Sequence, residues 1–116
     1  MRWRWIVLAA LTGHAVAAEP APESTLRWKA RDEAGTYGYL IYRSDAEAGP
    51  FRRINARIVP KQSNPDVGYV YIDRDVVPGK TYYYRIDGVS EAGVKKPLSP
   101  VLPKTIGPAH APAKGR

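Results

Sequence analysis

The chain of 116 residues contains no cysteine and only two histidines, one near each end. Without cysteine, a disulfide framework, a zinc-thiolate site and a cysteine nucleophile are all excluded. Because the histidines are His14 and His110, the region between them has no imidazole base and no Ser-His-Asp triad. A histidine-ligated metal site is excluded there for the same reason. The sequence therefore predicts a protein that is not an enzyme and needs no cofactor.

The sequence also has no helical periodicity. No glycine-rich phosphate loop follows a predicted strand, so nucleotide binding has no support in the sequence. It contains 11 prolines and 10 glycines, a density that favours short strands joined by turns. Hydrophobic residues make up 44% and charged residues 25%, which is typical of a globular protein. We therefore predict one small all-β domain.

The first residues have the pattern of a cleavable signal peptide. Residues 1–4 carry two positive charges, residues 5–11 are apolar, and residues 15–18 place small side chains at the −3 and −1 positions for cleavage after Ala17 or Ala18. The apolar run is shorter than the roughly 20 residues that span a bilayer, although an uncleaved membrane anchor is the alternative. We predict a signal peptide over residues 1–18, no stable membrane insertion, and a periplasmic or secreted location.

The formal charge is +7, and Arg2 and Arg4 belong to the predicted signal peptide. The rest of the chain then carries 16 lysines and arginines against 11 acidic residues, a net charge of +5. This balance favours an anionic partner or serves only solubility. The basic residues are scattered, so no nucleic-acid partner is expected.

Alternation of apolar and polar residues predicts strands separated by turn-forming residues. The predicted strands are residues 25–30, 37–43, 51–54, 68–73, 81–89 and 98–102. In the longest of them, Tyr82, Tyr84 and Ile86 form the inward set. Residues 19–24 read as a proline-rich leader, residues 55–67 as irregular, and residues 106–116 as a disordered basic Pro/Ala tail. The pattern indicates a small antiparallel β-sandwich.

Three segments in this order resemble a fibronectin type III domain: LRW at 26–28, YLIYRS at 39–44, and YIDRDVVPGKTYYYRI at 71–86. The resemblance covers residues 25–105 and implies an immunoglobulin-like sandwich in an exported bacterial protein. It also implies that Tyr82 forms a tyrosine corner, with its ring in the core and its hydroxyl bonded to backbone of the preceding loop. In contrast to the family pattern, the first strand is short or absent, because only residues 19–24 precede the LRW strand.

A missing first strand would leave one sheet edge open to another chain. We therefore predict that this edge pairs with a partner strand or with a second copy in a homodimer.

A candidate binding patch follows from the two longest strands. With Tyr39 and Ile41 inward, Leu40 and Tyr42 face outward, beside the outward residues Tyr83 and Arg85 of the neighbouring strand. Tyrosine, leucine and arginine are typical of protein interfaces, and tyrosine with arginine also suits sugar rings. Alternatively, loops cover these residues, or they form ordinary cross-strand pairs.

Asp73 and Asp75 lie two residues apart and form a candidate pair of carboxylates for metal binding or catalysis. Two carboxylates at this spacing suggest calcium binding or paired acid catalysis. The alternative is turn capping, in which Asp73 accepts hydrogen bonds from loop amides.

These observations favour a non-catalytic, protein-binding adaptor module of the cell envelope, with Leu40, Tyr42, Tyr83 and Arg85 as its partner-binding residues. The alternative is a carbohydrate- or peptidoglycan-binding module that recognises a cell-wall polysaccharide. An enzyme is the weakest of the three readings.

Overall fold

The computed structural model describes residues 21–64 and 66–108, and these contain eight strands and no helix. The strands are β1 (Ser24–Trp28), β2 (Thr36–Ser44), β3 (Arg52–Arg53), β4 (Val59–Pro60), β5 (Tyr69–Asp73), β6 (Thr81–Ser90), β7 (Lys95–Pro97) and β8 (Leu102–Thr105). The predicted all-β class is confirmed. The predicted signal peptide lies outside the described residues, as does most of the predicted tail, from residue 109 onward.

The strands form two antiparallel sheets. The small sheet pairs β1 with β5, and the large sheet has the order β3-β2-β6-β7. Strand β4 also pairs with β2, and β8 also pairs with β6. β2 and β6 are long because aromatic and β-branched residues fill them, and such residues pack well on a half-buried pleated surface.

The core lies between the two sheets. It is built from apolar residues at alternate positions of β1, β2, β5 and β6, with additions from the loops. Its members are Leu26, Ala30, Tyr39, Ile41, Tyr69, Val76, Tyr82, Tyr84, Ile86 and Ile106. The predicted inward set of β6 is confirmed, since Tyr82, Tyr84 and Ile86 are all buried.

Tyr82 forms the expected corner. Its ring is buried in the core, and its hydroxyl accepts a hydrogen bond from the Val77 backbone N–H at 3.0 Å. Ile106 closes the same end, because its N–H donates to Lys80 O and its carbonyl accepts from Gly79 N–H. The core therefore extends one residue past the predicted boundary at 105.

The last part of the large sheet differs from expectation. The predicted strand at 98–102 is wrong, because β7 ends at Pro97 and β8 begins at Leu102. Between them, the N–H groups of Leu98 and Ser99 both donate to Ile86 O, while the Ser99 hydroxyl accepts from Ile86 N–H at 3.1 Å. A side chain thus replaces backbone pairing next to Pro100, which has no N–H to donate.

On the opposite edge of the large sheet, the segment expected to be irregular contains β4. Between β3 and β4, the buried Asn55 side chain completes the hydrogen bonding of β2. Its Oδ1 accepts from Ile41 N–H at 2.8 Å, and its Nδ2 donates to Tyr39 O at 3.2 Å. The residues from Ile54 to Arg57 consequently run alongside β2.

The edge of β1 opposite β5 has no strand partner among residues 21–64 and 66–108. The short or absent first strand therefore holds for the described residues. One position on β1 is nevertheless covered, because Lys104 Nζ of β8 donates to Thr25 O at 2.8 Å. A lysine against an open edge discourages pairing with another chain. The homodimer through β1 stays a prediction.

Candidate functional site

The outer face of the large sheet carries the four residues predicted to bind a partner. In the β2–β6 register, Leu40 is opposite Asp87, Tyr42 is opposite Arg85, and Ser44 is opposite Tyr83. Cross-strand partners in an antiparallel sheet point to the same face. The four predicted residues therefore lie on one face of two adjacent strands.

Arg85 is the centre of this face. Its guanidinium carbon lies 4.5 Å from the centre of the Tyr42 ring and 5.3 Å from the centre of the Phe51 ring. Its Nε also forms an ion pair with Asp87 Oδ1 at 3.2 Å. Arg85 is about one-third exposed, whereas Asp87 is buried, so the guanidinium is held in place while part of it faces solvent.

Leu40 corrects the sequence-based prediction. It faces outward as expected but is only 2% exposed, so it offers no surface to a partner. Its cross-strand neighbour Asp87 lies on one side. On the other side, Asn55 bonds to backbone of Tyr39 and Ile41 and holds a loop segment beside Leu40.

The surface that remains is Tyr42, Phe51, Tyr83 and Arg85, here called the aromatic-arginine patch. All four side chains are partly exposed. Phe51 was missed by the sequence analysis, which assigned it only to a short strand. Phe51 reaches Arg85 because the chain turns after β2 and β3 pairs with β2, which brings the residue before β3 close to Arg85.

The candidate carboxylates Asp73 and Asp75 each form an ion pair with Arg43. Arg43 Nη1 lies 2.9 Å from Asp73 Oδ2 and donates to Asp75 O at 2.7 Å. Asp73 also accepts from the Tyr84 hydroxyl at 2.7 Å and from Asp75 N–H at 3.1 Å. The predicted capping of the turn by Asp73 is confirmed by this last bond. The partner Arg43 was missed because it lies 30 residues away.

A second buried carboxylate, Glu33, lies under the aromatic residues at one end of the core. It accepts hydrogen bonds from the hydroxyls of Tyr39 and Tyr69. Burial alone would raise its pKa, but these two bonds and the charge of Lys61 hold the pKa below the usual value of 4.5. Burial, together with the bond to Glu33, raises the pKa of Tyr39 far above its usual value of 10.0. These groups therefore stabilise the fold in their present ionisation states.

Trp28 completes this cluster. Its ring stacks on Tyr69 with centroids 5.3 Å apart and meets Tyr39 edge-on at 5.6 Å.

Across the described part of the chain, no group of three or more acidic, histidine or cysteine side chains is arranged to hold a metal ion. Nor does that part contain a helix long and apolar enough to cross a membrane.

An open groove of about 690 Å³ lies between β3 of the large sheet and β5 of the small sheet. Its lining combines arginines and aspartates with apolar side chains. The lining residues are Arg43, Arg52, Arg53, Ile54, Tyr71, Ile72, Asp73, Arg74 and Asp75. This surface, here called the arginine groove, was not predicted from the sequence.

No family model matches the chain. A curated relative, amylopullulanase from Thermoanaerobacter thermohydrosulfuricus, is 38% identical over 78 residues, which is 64% of this chain and 5% of the enzyme. Among solved structures, an Fn3-like protein from Clostridium thermocellum matches with 25% identity and a TM-score of 0.53. That match covers 82% of this chain and 83% of the other. The described domain therefore has an Fn3-like fold, as the resemblance implied, and it is similar to a small segment of a much longer enzyme.

Proposed function

We propose that this chain is an exported, non-catalytic adaptor module that binds a partner protein through the aromatic-arginine patch. The observation that carries the proposal is the position of Arg85 against Tyr42 and Phe51 with its ion pair to Asp87. Arginine and aromatic residues contribute strongly to protein interfaces, above all when they are already ordered before binding. The signal-like pattern of residues 1–18 supports a cell-envelope location.

The arrangement favours a protein over a sugar as the partner of this patch. Sugar stacking needs an aromatic ring with a free face. Here the guanidinium of Arg85 lies over one face of the Tyr42 ring and one face of the Phe51 ring, so those two faces are closed to a sugar. The similarity to a segment of a long enzyme supports an accessory role that involves no chemistry of its own.

The proposal predicts loss of one protein partner when the patch is truncated. The full chain is immobilised and exposed to solubilised envelope extract, and a captured protein is identified, purified and bound again. We expect Tyr42→Ala/Tyr83→Ala to weaken that binding at least about tenfold, since each aromatic anchor contributes on the order of 1–2 kcal/mol.

Tyr37→Ala is the matched control, because Tyr37 is a tyrosine on the same strand and is 53% exposed outside the patch. Equal loss of binding in Tyr37→Ala and in the double variant would contradict the assignment of the patch. Thermal unfolding of each variant verifies that the domain remains folded.

A second candidate function is polysaccharide binding, and the similarity to amylopullulanase favours it. In that case the chain would be an accessory module that holds a neutral glucan. Retardation of the chain in gels containing amylopectin or pullulan, without any captured protein, would place this candidate ahead of the adaptor.

A further inference from the structure

A pocket lies at the end of the sandwich where the loop between β1 and β2 meets the β6–β7 hairpin. Residues of the loop line one side of this pocket, and residues of β6, β7 and the turn between them line the other. Its volume of about 240 Å³ is below the range of about 300–1,000 Å³ found for drug-sized ligands. This surface, here called the end pocket, therefore suits a smaller molecule.

The end pocket is hollow because small residues line it. On the inner face of the large sheet, the register of β2, β6 and β7 places Tyr39, Gly88 and Lys96 side by side. Gly88 has no side chain, and a Cβ added there would still lie 3.9 Å from its nearest neighbour, Tyr39 Cε1. The loop contributes Ala30 and Ala34 to the same hollow. Because protein interiors are normally close-packed, an apolar group of a ligand would gain contacts here that the chain does not supply.

The charged residues that line the end pocket are one acid and one base, Asp32 and Lys96. Lys96 is the cross-strand partner of Gly88, so its side chain leaves β7 on the face of the hollow. Asp32 is held in the loop, because its Oδ1 accepts from Ala34 N–H at 3.0 Å. Among the ion pairs of residues 21–64 and 66–108, none includes either residue. The pocket thus offers a carboxylate and an ammonium group whose charges sum to zero.

We propose that the end pocket binds a free α-amino acid with an aliphatic side chain, such as leucine. The ammonium group of this ligand pairs with Asp32 and its carboxylate with Lys96, and both contacts are charge-assisted hydrogen bonds. The aliphatic side chain enters the hollow beside Gly88. A ligand with charge of one sign would attract one of the two residues and repel the other. The site and the ligand both differ from those of the proposed adaptor function, so either proposal can fail without the other.

The probe is L-leucine, added to the full chain up to millimolar concentration, with binding followed through backbone amide shifts in NMR spectra. We expect the shifts to centre on residues 30–36 and 88–98. N-acetylleucine lacks the ammonium charge, leucinamide lacks the carboxylate, and glycine lacks the side chain. Each should bind at least about tenfold more weakly than leucine. The proposal is overturned if any of the three, or maltose, binds as tightly as leucine, or if leucine causes no shifts.

Two charge variants test the residues that pair with the ligand. Lys96→Gln and Asp32→Asn should each weaken leucine binding at least about tenfold, and Asp32→Asn keeps an oxygen for the Ala34 N–H. Lys95→Gln is the matched control, because Lys95 is the cross-strand partner of Val89 and points to the opposite face of β7. A loss of affinity in Lys95→Gln equal to that in Lys96→Gln would show a diffuse charge effect and overturn the proposal.

Gly88→Ala tests the hollow without changing any charge. The added methyl group takes up part of the space for the ligand side chain, so affinity for leucine should fall more than affinity for alanine. Thermal unfolding verifies that the variant remains folded. An unchanged ratio of the two affinities would show that the ligand side chain does not enter the hollow, and the proposed binding mode would be wrong.

Discussion

At the scale of single residues, the buried ion pair between Arg43 and Asp73 links the two sheets. Arg43 belongs to β2 of the large sheet and Asp73 to β5 of the small one, and both side chains are at least nine-tenths buried. A buried ion pair contributes little net stability by itself, but removing one partner leaves an uncompensated charge in the interior. Tyr84, whose hydroxyl also bonds to Asp73, would not neutralise that charge.

Replacing Arg43 alone should therefore be much more harmful than replacing both partners. We expect Arg43→Met to lower the free energy of unfolding by about 3–5 kcal/mol, and Arg43→Met/Asp73→Leu to lower it by less. Urea unfolding of the two variants provides the comparison. Arg74→Met removes an exposed ion pair and should cost less than about 1 kcal/mol. A double variant as unstable as the single one would show that the buried charge is not the cause.

At the scale of the strand, Gly38 allows β2 to carry β4 at its edge. Gly38 pairs with Pro60, and the β2–β6 register shifts between Thr36 and Gly38. A Cβ added at Gly38 would collide with Ile58 Cγ2 and lie 2.6 Å from Val59 O. Because one of these atoms is backbone, rotation of a side chain cannot relieve the clash.

We expect Gly38→Ala to destabilise the protein by about 1–3 kcal/mol, which is typical of an overpacked site. Gly88→Ala is the control on the facing strand, where the nearest atom to an added Cβ would be Tyr39 Cε1 at an ordinary 3.9 Å. The midpoints of urea unfolding compare the two. The clash would be refuted if both variants unfolded at the same urea concentration.

The strands that supply the core, and their inward faces, were predictable because alternation in a strand has a period of two, so burial on one face is visible in the sequence. Tyr82, Tyr84 and Ile86 were identified in this way. Burial of Leu40 was not predictable, since alternation shows which face of a strand a side chain is on but not what covers that face. That Phe51 belongs to the aromatic-arginine patch likewise depends on tertiary geometry rather than on the local sequence pattern.

At the scale of the whole molecule, buried ionisable groups set the pH range of stability. Glu33 has a pKa below 4.5 in the folded protein, so its contribution is present above that value and is lost as the pH falls through the folded pKa. Tyr39 has a pKa raised from 10.0, mainly by burial, so its contribution is present below pH 10.0 and declines as the pH rises above it. Burial also raises the pKa of Tyr84, with the same consequence.

The free energy of unfolding should therefore decline at both ends of the pH scale. We expect Glu33→Gln to flatten the acid limb, because the group that gains a proton on unfolding is gone. Urea unfolding at a series of pH values below 4.5 measures this limb. Glu91→Gln, in the exposed turn between β6 and β7, is the matched control. An acid limb that is unchanged in Glu33→Gln would rule out Glu33 as its source.

Trp28 has a further consequence for following this fold in solution. The other two tryptophans, Trp3 and Trp5, lie in the predicted signal peptide. A chain cleaved after residue 18 would thus contain a single indole fluorophore, packed against Tyr69 of the small sheet and Tyr39 of the large one. Its emission would report the docking of one sheet onto the other without any added label.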